Sequence, residues 1–558
     1  MKKQNKHLLF LVFLTLLGIF FHFYNLNWGA PWYFHPDERN IATAVSQLNF
    51  PSQMNPHFFA YGSLPIYTIF FTALLGHFFA HLQLTAFHTN VRFEEAIVIS
   101  RAYSALFATV LIPMLYILGK RIKDRNAGMF AALLGTFSVG MIQYAHYGTF
   151  ELWLTFFIVC LFWHCLNVLN RGKLGDLILT ALIFGVLVAI KVSSLALLPL
   201  PIFAIVFHQK QLYTKHVALR KRLEGSGIVL LKFIFFLFLA FLVYLPTNPY
   251  VLFDQKDFIS SMSYESNVGF GTTHVFYTGG FFDTIPLLYQ LLHVYPFLLN
   301  PLIAILFVMA LCYLSYLTFK QKQPAYFLLI LFYLFLFISQ SILFVKWTRY
   351  LLPTLPFIYL IVALTFSAVI PKKEIANRLQ TKLSYAIPFG IVLGVCMLFA
   401  SSYFKTAFIN PDSRIQALVF AKDHMPSNTQ ILSETYDIGI IPIQNHFPLI
   451  KAFNFYDLDS VSIDATEANL HQQLAHAEYI ILPSQRVLQP RILNQKRFPK
   501  GHLFYEQLFN GALGYKMIYQ TPCDVFCEIT YIGDPVYWWE QTVNVFDRPT
   551  VFIFEKNK

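Results

Sequence analysis

Long apolar runs are the feature that most constrains this chain. Each is roughly 17 to 23 residues long, the length that a helix needs to cross the hydrocarbon core of a bilayer. The runs lie at 8–24, 64–80, 96–118, 127–145, 152–169, 174–190, 192–207, 228–245, 295–319, 325–345, 351–370 and 385–403. Only 13% of the 558 residues are charged, about half the share in ordinary globular chains. The pattern predicts a polytopic α-helical membrane protein.

Positive charge is concentrated in short loops between the apolar runs, at 120–125, 170–173, 208–222, 320–322 and 371–382. Cytoplasmic loops of membrane proteins are enriched in Lys and Arg, so the net charge of +12 indicates no nucleic-acid partner. With a cytoplasmic N-terminus, all five loops are cytoplasmic only if the run at 64–80 does not cross. Pro65, Gly76 and His77 favour a re-entrant or surface-lying helix there, which leaves about eleven crossings.

This topology divides the chain into a membrane part and an outer part. The first apolar run is interpreted as a retained helix rather than a signal peptide. We expect a membrane module at 1–405, with a first outer loop at 25–95, and an extracytoplasmic α/β domain at 406–558. In that domain the residue patterns predict an amphipathic helix at 414–423 and strands at 430–433, 478–482 and 550–554. A disulfide between Cys523 and Cys527 is left open, since outer compartments permit one.

Three carboxylates lie at predicted membrane exits. Asp37 and Glu38 follow His35 and Pro36 in the first outer loop, and Glu151 follows a helix exit. Acids beside a bilayer are candidates for function. The alternative is that these acids simply start helices, where proline and acidic residues are favoured.

Four cations lie in apolar surroundings. They are Arg101, Lys191, Lys346 and Arg349, of which Lys346 and Arg349 are placed outside against the general charge bias. Arg and Lys bind phosphate oxygens, and a carboxylate can accept a proton from an attacking hydroxyl. Acids and cations at one membrane face therefore suit a lipid-linked phosphate substrate. The alternatives are snorkelling to the interface for Lys191, and headgroup anchoring for Lys346 and Arg349. For Arg101 the alternative is a structural pair with Glu94 or Glu95.

His35, His57 and His146 are further candidates for the site. Imidazole and carboxylate groups are competent ligands for divalent metals. The spacing of these histidines is not that of a metal motif, so no metal ligand is assigned and metal dependence is left open.

Several motifs together resemble a known family of membrane enzymes. They are His35-Pro36-Asp37-Glu38, Asn55-Pro56-His57-Phe58 with Tyr61, Arg101-Ala102-Tyr103-Ser104, Gln143-Tyr144-Ala145-His146 with Glu151, Lys191, the stretch from Lys346 to Pro356, and the tail Val545-Phe546-Asp547-Arg548-Pro549. The chain resembles the GT-C fold glycosyltransferases that use polyprenyl-phosphate sugars, of the protein O-mannosyltransferase and aminoarabinose-transferase type (glycosyltransferase family 39-like).

The resemblance implies specific roles. Asp37 would be the catalytic base, Glu38 its neighbour in the paired-acid motif, and Glu151 the second outer acid, although many relatives have Asp there. Lys191, Lys346 and Arg349 would hold the carrier phosphate, with Arg101 as a further candidate. The family inverts the anomeric centre in one displacement.

The expected function is therefore an integral membrane glycosyltransferase of a bacterial inner membrane. It would move a sugar from a polyprenyl-phosphate donor to an extracytoplasmic acceptor, which could be a protein, lipid A or lipopolysaccharide, or a wall glycan. Two alternatives are a lipid or sugar flippase and a non-catalytic envelope scaffold. A transporter often carries repeats and midplane charges, and the sequence shows neither.

Overall fold

The fold is described by a computed structural model for residues 2–80, 90–212, 219–369, 379–435, 437–459, 463–533 and 535–557. Eighteen α-helices lie between residues 2 and 404 of this described part. They are α1 Lys2–Phe23, α2 Pro36–Ser46, α3 Ser63–Ala80, α4 Phe93–Ile122, α5 Arg125–Thr136, α6 Val139–Ala145, α7 Glu151–Arg171, α8 Leu174–Ile190, α9 Pro199–Leu212, α10 Leu219–Thr247, α11 Tyr250–Phe253, α12 Gln255–Phe270, α13 Leu288–His293, α14 Tyr295–Leu299, α15 Pro301–Gln321, α16 Pro324–Ser341, α17 Leu355–Val369 and α18 Leu379–Phe404. Parts of the basic loops at 208–222 and 371–382 lie outside the described residues.

The predicted membrane architecture is confirmed. Among the described residues, nine helices are long and apolar enough to cross a membrane, and the count is ten if α5 and α6, bent by 53° at their junction, form one span. Helices α3 and α8 both fall among the shorter apolar helices. The eleven crossings that the sequence predicts are reached when α8 crosses and α3 does not.

The C-terminal part contains a five-stranded mixed sheet. Its strands are β1 Ile431–Glu434, β2 Ile450–Phe453, β3 Tyr479–Leu482, β4 Tyr515–Gln520 and β5 Phe552–Lys556. Their order is β2-β1-β3-β5-β4. Strand β1 pairs in parallel with β2 and β3, whereas β5 pairs antiparallel with β3 and β4. The three predicted strands are present within two residues, while β2 and β4 were not predicted.

Helices cover both faces of this sheet. Along β3, Ile480 and Leu482 belong to one buried cluster, and Tyr479 and Ile481 belong to another. This alternation follows from the two-residue period of a strand. The covering helices are α19 Ser413–His424, α20 Ile441–Gln444, α21 Ile463–His476, α22 Gln485–Leu493 and α23 Pro499–Phe509. The remaining helix, α24 Val525–Tyr531, packs against α18. Cys523 and Cys527 form a disulfide at the start of α24.

A buried carboxylate ties the C-terminal tail to the membrane helices. Asp547 accepts hydrogen bonds from Gln143 of α6 at 3.1 Å and from Tyr403 of α18 at 2.5 Å. The adjacent Phe546 ring packs on His35, with 4.3 Å between ring centroids. The tail therefore contributes to the same surface as the first outer loop.

Candidate active site

A cavity of about 350 Å³ lies where the outer loops meet the C-terminal part. Five of the predicted site residues line it: His35, Asp37, Tyr61, Lys191 and Arg349. They come from four separate segments of the sequence, so the fold, rather than local spacing, brings them together.

Asp37 lies in the first turn of α2, which His35 caps and Pro36 begins. This is the helix start that the alternative interpretation expects, but the carboxylate also faces the cavity. The Arg349 guanidinium forms an ion pair with it, and the Asp37 side chain is 26% exposed. Burial alone would raise the pKa of this carboxyl, but Arg349, His35 and Lys191 hold its pKa below the ordinary value. Asp37 is therefore ionised at neutral pH and open to the cavity.

Two cations stand beside this carboxylate. Arg349 lies in the 3₁₀ helix Thr348–Thr354, with its guanidinium 4.6 Å from the centroid of the Trp347 ring. Lys191 has an extended backbone at the end of α8. Its ammonium lies 5.0 Å from the centroid of the Tyr61 ring and 5.5 Å from that of Tyr350. Aromatic walls thus hold both cations at the cavity without neutralising them.

A second, smaller cavity opens on the other side of these cations. It has a volume of about 70 Å³ and shares Lys191, Arg349 and Tyr350 with the first. Glu151, at the start of α7, lines it and accepts a hydrogen bond from the Tyr61 hydroxyl at 3.1 Å. The remaining lining combines aliphatic side chains from α7, α16 and the segment after Lys191 with the polar Ser193, Ser194, Ser339 and Gln340. The two cations therefore stand between the larger cavity and this smaller, more apolar inner cavity.

Glu38 and Arg101 form a fully buried ion pair that lines neither cavity. Arg101 donates from Nε and Nη2 to the two Glu38 oxygens at 2.9 and 2.7 Å, and from Nη1 to the carbonyl of Trp28 at 2.9 Å. The Gly148 amide donates to Glu38 at 2.5 Å. Arg101 therefore pairs with Glu38 rather than with the alternative partners Glu94 or Glu95, and it lies away from both cavities.

Three other candidates, Lys346, His146 and His57, also line neither cavity. Lys346 is buried and donates to the Phe344 carbonyl at 2.9 Å, and burial lowers its pKa to about 8. The two ring nitrogens of His146 lie 2.8 Å from the carbonyls of Ile142 and Tyr24. These contacts give Lys346 and His146 structural partners in place of a substrate.

His57 belongs to the one cluster among the described residues with metal-ligand geometry. Its ring and the carboxylates of Asp254 and Asp257 have ligand atoms within 4.8 Å of one another. His57 and Asp257 are exposed, and Asp254 already accepts a hydrogen bond from Asn55 at 2.8 Å. This cluster could hold a divalent cation, whereas His35 and His146 are placed elsewhere.

Several lining residues escaped the sequence reasoning. Tyr264 and Glu265 come from α12, and Arg486, Gln541 and Thr542 come from the C-terminal part. A residue several hundred positions from Asp37 gives no local signal of its proximity. Val545 and Phe546 had such a signal, because they belong to the tail motif that resembles the family.

Comparison with known proteins supports an enzyme of one class. The description of the matching family is "Dolichyl-phosphate-mannose-protein mannosyltransferase", and the match covers residues 84–244, which include Glu151 and Lys191. Two structures of the oligosaccharyltransferase AglB from Archaeoglobus fulgidus superpose with TM-scores of 0.51 and 0.52. Each is 13% identical in sequence, and the alignment covers 99% of this chain and 89% of AglB. The chain has the GT-C membrane fold that AglB shows, and residues 84–244 match the mannosyltransferase family.

ArnT from Cupriavidus metallidurans superposes with a TM-score of 0.45 at 10% identity, covering 98% of this chain and 97% of ArnT. No curated protein matches this chain in sequence.

Proposed function

We propose that this glycosyltransferase moves a sugar from a polyprenyl phosphate to a hydroxyl acceptor outside the cytoplasm, with inversion at the anomeric carbon. The observation that carries the proposal is the meeting of one ionised carboxylate, Asp37, with two cations, Lys191 and Arg349, in a single cavity. AglB, which shares the fold, is solved in complex with a dolichol-phosphate.

The chemistry is a single displacement. The acceptor hydroxyl attacks the anomeric carbon and transfers its proton to the Asp37 carboxylate as the new C–O bond forms. The bond from that carbon to the phosphate oxygen breaks, and the polyprenyl phosphate leaves with the electron pair. Arg349 and Lys191 stabilise the negative charge that develops on the leaving phosphate.

Arg349 links donor binding to the strength of the base. In the structure, the Arg349 guanidinium is paired with Asp37. A bound phosphate competes for the same guanidinium, because both anions accept from its N–H groups. When Arg349 turns to the phosphate, the partly exposed Asp37 carboxylate loses its main stabilising cation, and its pKa rises. The base therefore becomes stronger once the donor is present.

The inner apolar cavity suits the first isoprene units of the carrier. Leu154, Ile158, Leu197 and Leu336 line it immediately next to Lys191 and Arg349. A polyprenyl chain placed there would leave the protein between α7 and α16, into the bilayer. We assign Glu151 a positioning role, since its hydrogen bond fixes Tyr61 at the junction of the two cavities.

We further propose that the site faces the outside of a bacterial inner membrane, with a cytoplasmic N-terminus. The first outer loop, α12 and the C-terminal part line one cavity, so they share one side of the membrane. The Cys523–Cys527 disulfide favours an oxidising compartment for that side. A reporter fused after residue 558 should then be active outside, and a cytoplasmic signal would contradict this orientation.

Lipid mass spectrometry on cells lacking the protein tests the donor assignment. The cells are complemented with wild type, with Asp37→Asn, or with Glu94→Gln, a matched change at an exposed acid in the same outer loop. One glycosylated polyprenyl phosphate should accumulate in the null and Asp37→Asn cells and disappear with wild type and Glu94→Gln. If no such lipid changes while all variants are expressed equally, the donor assignment fails and transport becomes the better explanation.

A further inference from the structure

A larger groove lies beside the Asp37 cavity on the same side of the protein. Its volume is about 770 Å³, within the range of about 300–1,000 Å³ typical of ligand sites. One wall is the outer segment 279–293, and the other is formed by α22 and the segment 537–541 of the C-terminal part. The proposed chemistry places no group in it.

The groove joins the Asp37 cavity at Gln541, which lines both. This side chain is 8% exposed. Its Nε2 donates to the Tyr277 carbonyl at 3.0 Å, while its Oε1 is buried and has no hydrogen-bond partner among the described residues. Unpaired buried acceptors are uncommon in folded proteins, because each one carries a desolvation penalty. Because this atom is closed to solvent, a donor group of a ligand reaches it only when the Gln541 side chain turns into the junction of the two cavities.

The walls combine aromatic faces with side-chain amides. Trp538 is 57% exposed, and Tyr289 and Phe282 add two more rings. The exposed amide-bearing residue Gln495 stands beside them. Exposed aliphatic side chains complete the lining, from Ile285, Leu288, Leu292 and Leu493. Rings that face solvent can stack on the C–H faces of pyranose sugars, and amides both donate to and accept from hydroxyl groups.

The charge of the groove is nearly balanced. Asp283 and Lys496 are its two fully charged side chains among the described residues, and Asp283 already accepts from Asn494 at 3.0 Å. A strongly anionic ligand would find no cluster of cations here. A neutral polar ligand fits the lining better.

We propose that this groove binds a neutral saccharide chain of the acceptor, with Gln541 receiving the hydroxyl end that enters the Asp37 cavity. The assignment rests on the proposed function, and it specifies the acceptor as a glycan. An extended peptide is the weaker occupant, because strand addition needs a free sheet edge and the edge strands β2 and β4 do not line the groove.

Saturation-transfer NMR on the purified protein in lipid nanodiscs tests the groove without any donor present. The probe is a mixture of neutral tri- to pentasaccharides of glucose, mannose, galactose and N-acetylglucosamine. The wild-type protein should transfer saturation to at least one of these saccharides. Trp538→Ala should weaken the binding of that saccharide about tenfold or more, as expected when an aromatic anchor is removed. Gln495→Ala is a second groove variant that changes only an exposed side chain.

Two controls separate this inference from the proposed chemistry. Met517→Ala changes an exposed apolar residue on β4 and should leave saccharide binding unchanged. Asp37→Asn should also bind the saccharide, even though it should not turn over donor. If saccharide binding depends on Trp538 but the protein turns over no donor, the proposed function is refuted and the saccharide assignment is retained.

Three results would overturn the saccharide assignment. The first is that wild type transfers saturation to none of the saccharides. The second is that wild type and both groove variants transfer saturation equally. The third is that brominated phospholipids quench the fluorescence of Trp538. The last result would make the groove a membrane contact, and Trp538→Phe identifies the quenched residue.

Discussion

Replacing Glu38 by Gln should destabilise the protein and leave the turnover of each folded molecule close to that of wild type. The sequence pairs Glu38 with Asp37 as an acidic motif, but in the structure only Asp37 reaches the cavity. Glu38 instead accepts three hydrogen bonds, from Arg101 Nε at 2.9 Å, Arg101 Nη2 at 2.7 Å and the Gly148 amide at 2.5 Å. These contacts join α2 to α4 and to the turn before α7.

The size of the effect follows from the burial of both partners. The side chains of Glu38 and Arg101 are 0% exposed. Gln keeps the volume and one acceptor oxygen but leaves the guanidinium charge uncompensated. Removing one partner of a buried pair costs about 3–5 kcal/mol. The charge of Arg101 retains its carbonyl partners and the Trp28 ring at 4.5 Å, so we expect the lower end of that range.

Thermal unfolding in detergent, combined with turnover per folded molecule, separates stability from chemistry. Glu38→Gln should unfold at a clearly lower temperature and keep turnover within about threefold. Asp37→Asn, one residue away, should show the opposite pattern of intact stability and lost turnover. If Glu38→Gln unfolds like wild type and loses turnover about 10²-fold or more, the range that general-base catalysis contributes, Glu38 belongs to the catalytic machinery.

Three further outcomes follow from the geometry. The pH profile of kcat/KM, which reports the free enzyme, should show no acid limb above about pH 4, since cations hold the Asp37 pKa below its ordinary value of 3.8. Arg349→Gln should move the acidic fall of kcat/KM to higher pH, and an unchanged profile would refute the ion pair between Arg349 and Asp37. Lys191→Met should lower kcat about 10²-fold, whereas Lys346→Met, a change off the cavity, should lower it less than threefold; equal losses would refute the assignment. Cys523→Ser should lower the free energy of unfolding by about 2 kcal/mol, and reductant should destabilise wild type but not this variant.

The membrane architecture could be predicted because apolar length and loop charge are local properties of the sequence. The start of α2 at Pro36 could be predicted for the same reason. The sequence could not predict which of the two acids faces the cavity, because consecutive helical residues point about 100° apart. Only the packing of α2 on α4 determines that Glu38 is buried. The same limit applies to Lys346 and Arg349, of which only Arg349 reaches the cavity.

The contribution of the C-terminal part could not be predicted either. Arg486 and Gln541 reach the cavity through the placement of α22 and the segment 537–541, which depends on contacts distant in sequence. Strands β2 and β4 were missed because their patterns are weak, since β2 is largely exposed and β4 carries an irregular register between Met517 and Tyr519.

Turnover of the donor lipid by the purified protein in proteoliposomes tests the central claim most directly. The donor is the glycosylated polyprenyl phosphate that accumulates in the null cells, and the readouts are its binding and the release of polyprenyl phosphate. Asp37→Asn should bind donor at least as tightly as wild type, because Arg349 is then free for the phosphate, and should release polyprenyl phosphate about 10²–10⁴-fold more slowly. Release by Asp37→Asn at the wild-type rate, with Glu94→Gln also unchanged, would contradict the assignment of Asp37 as the base.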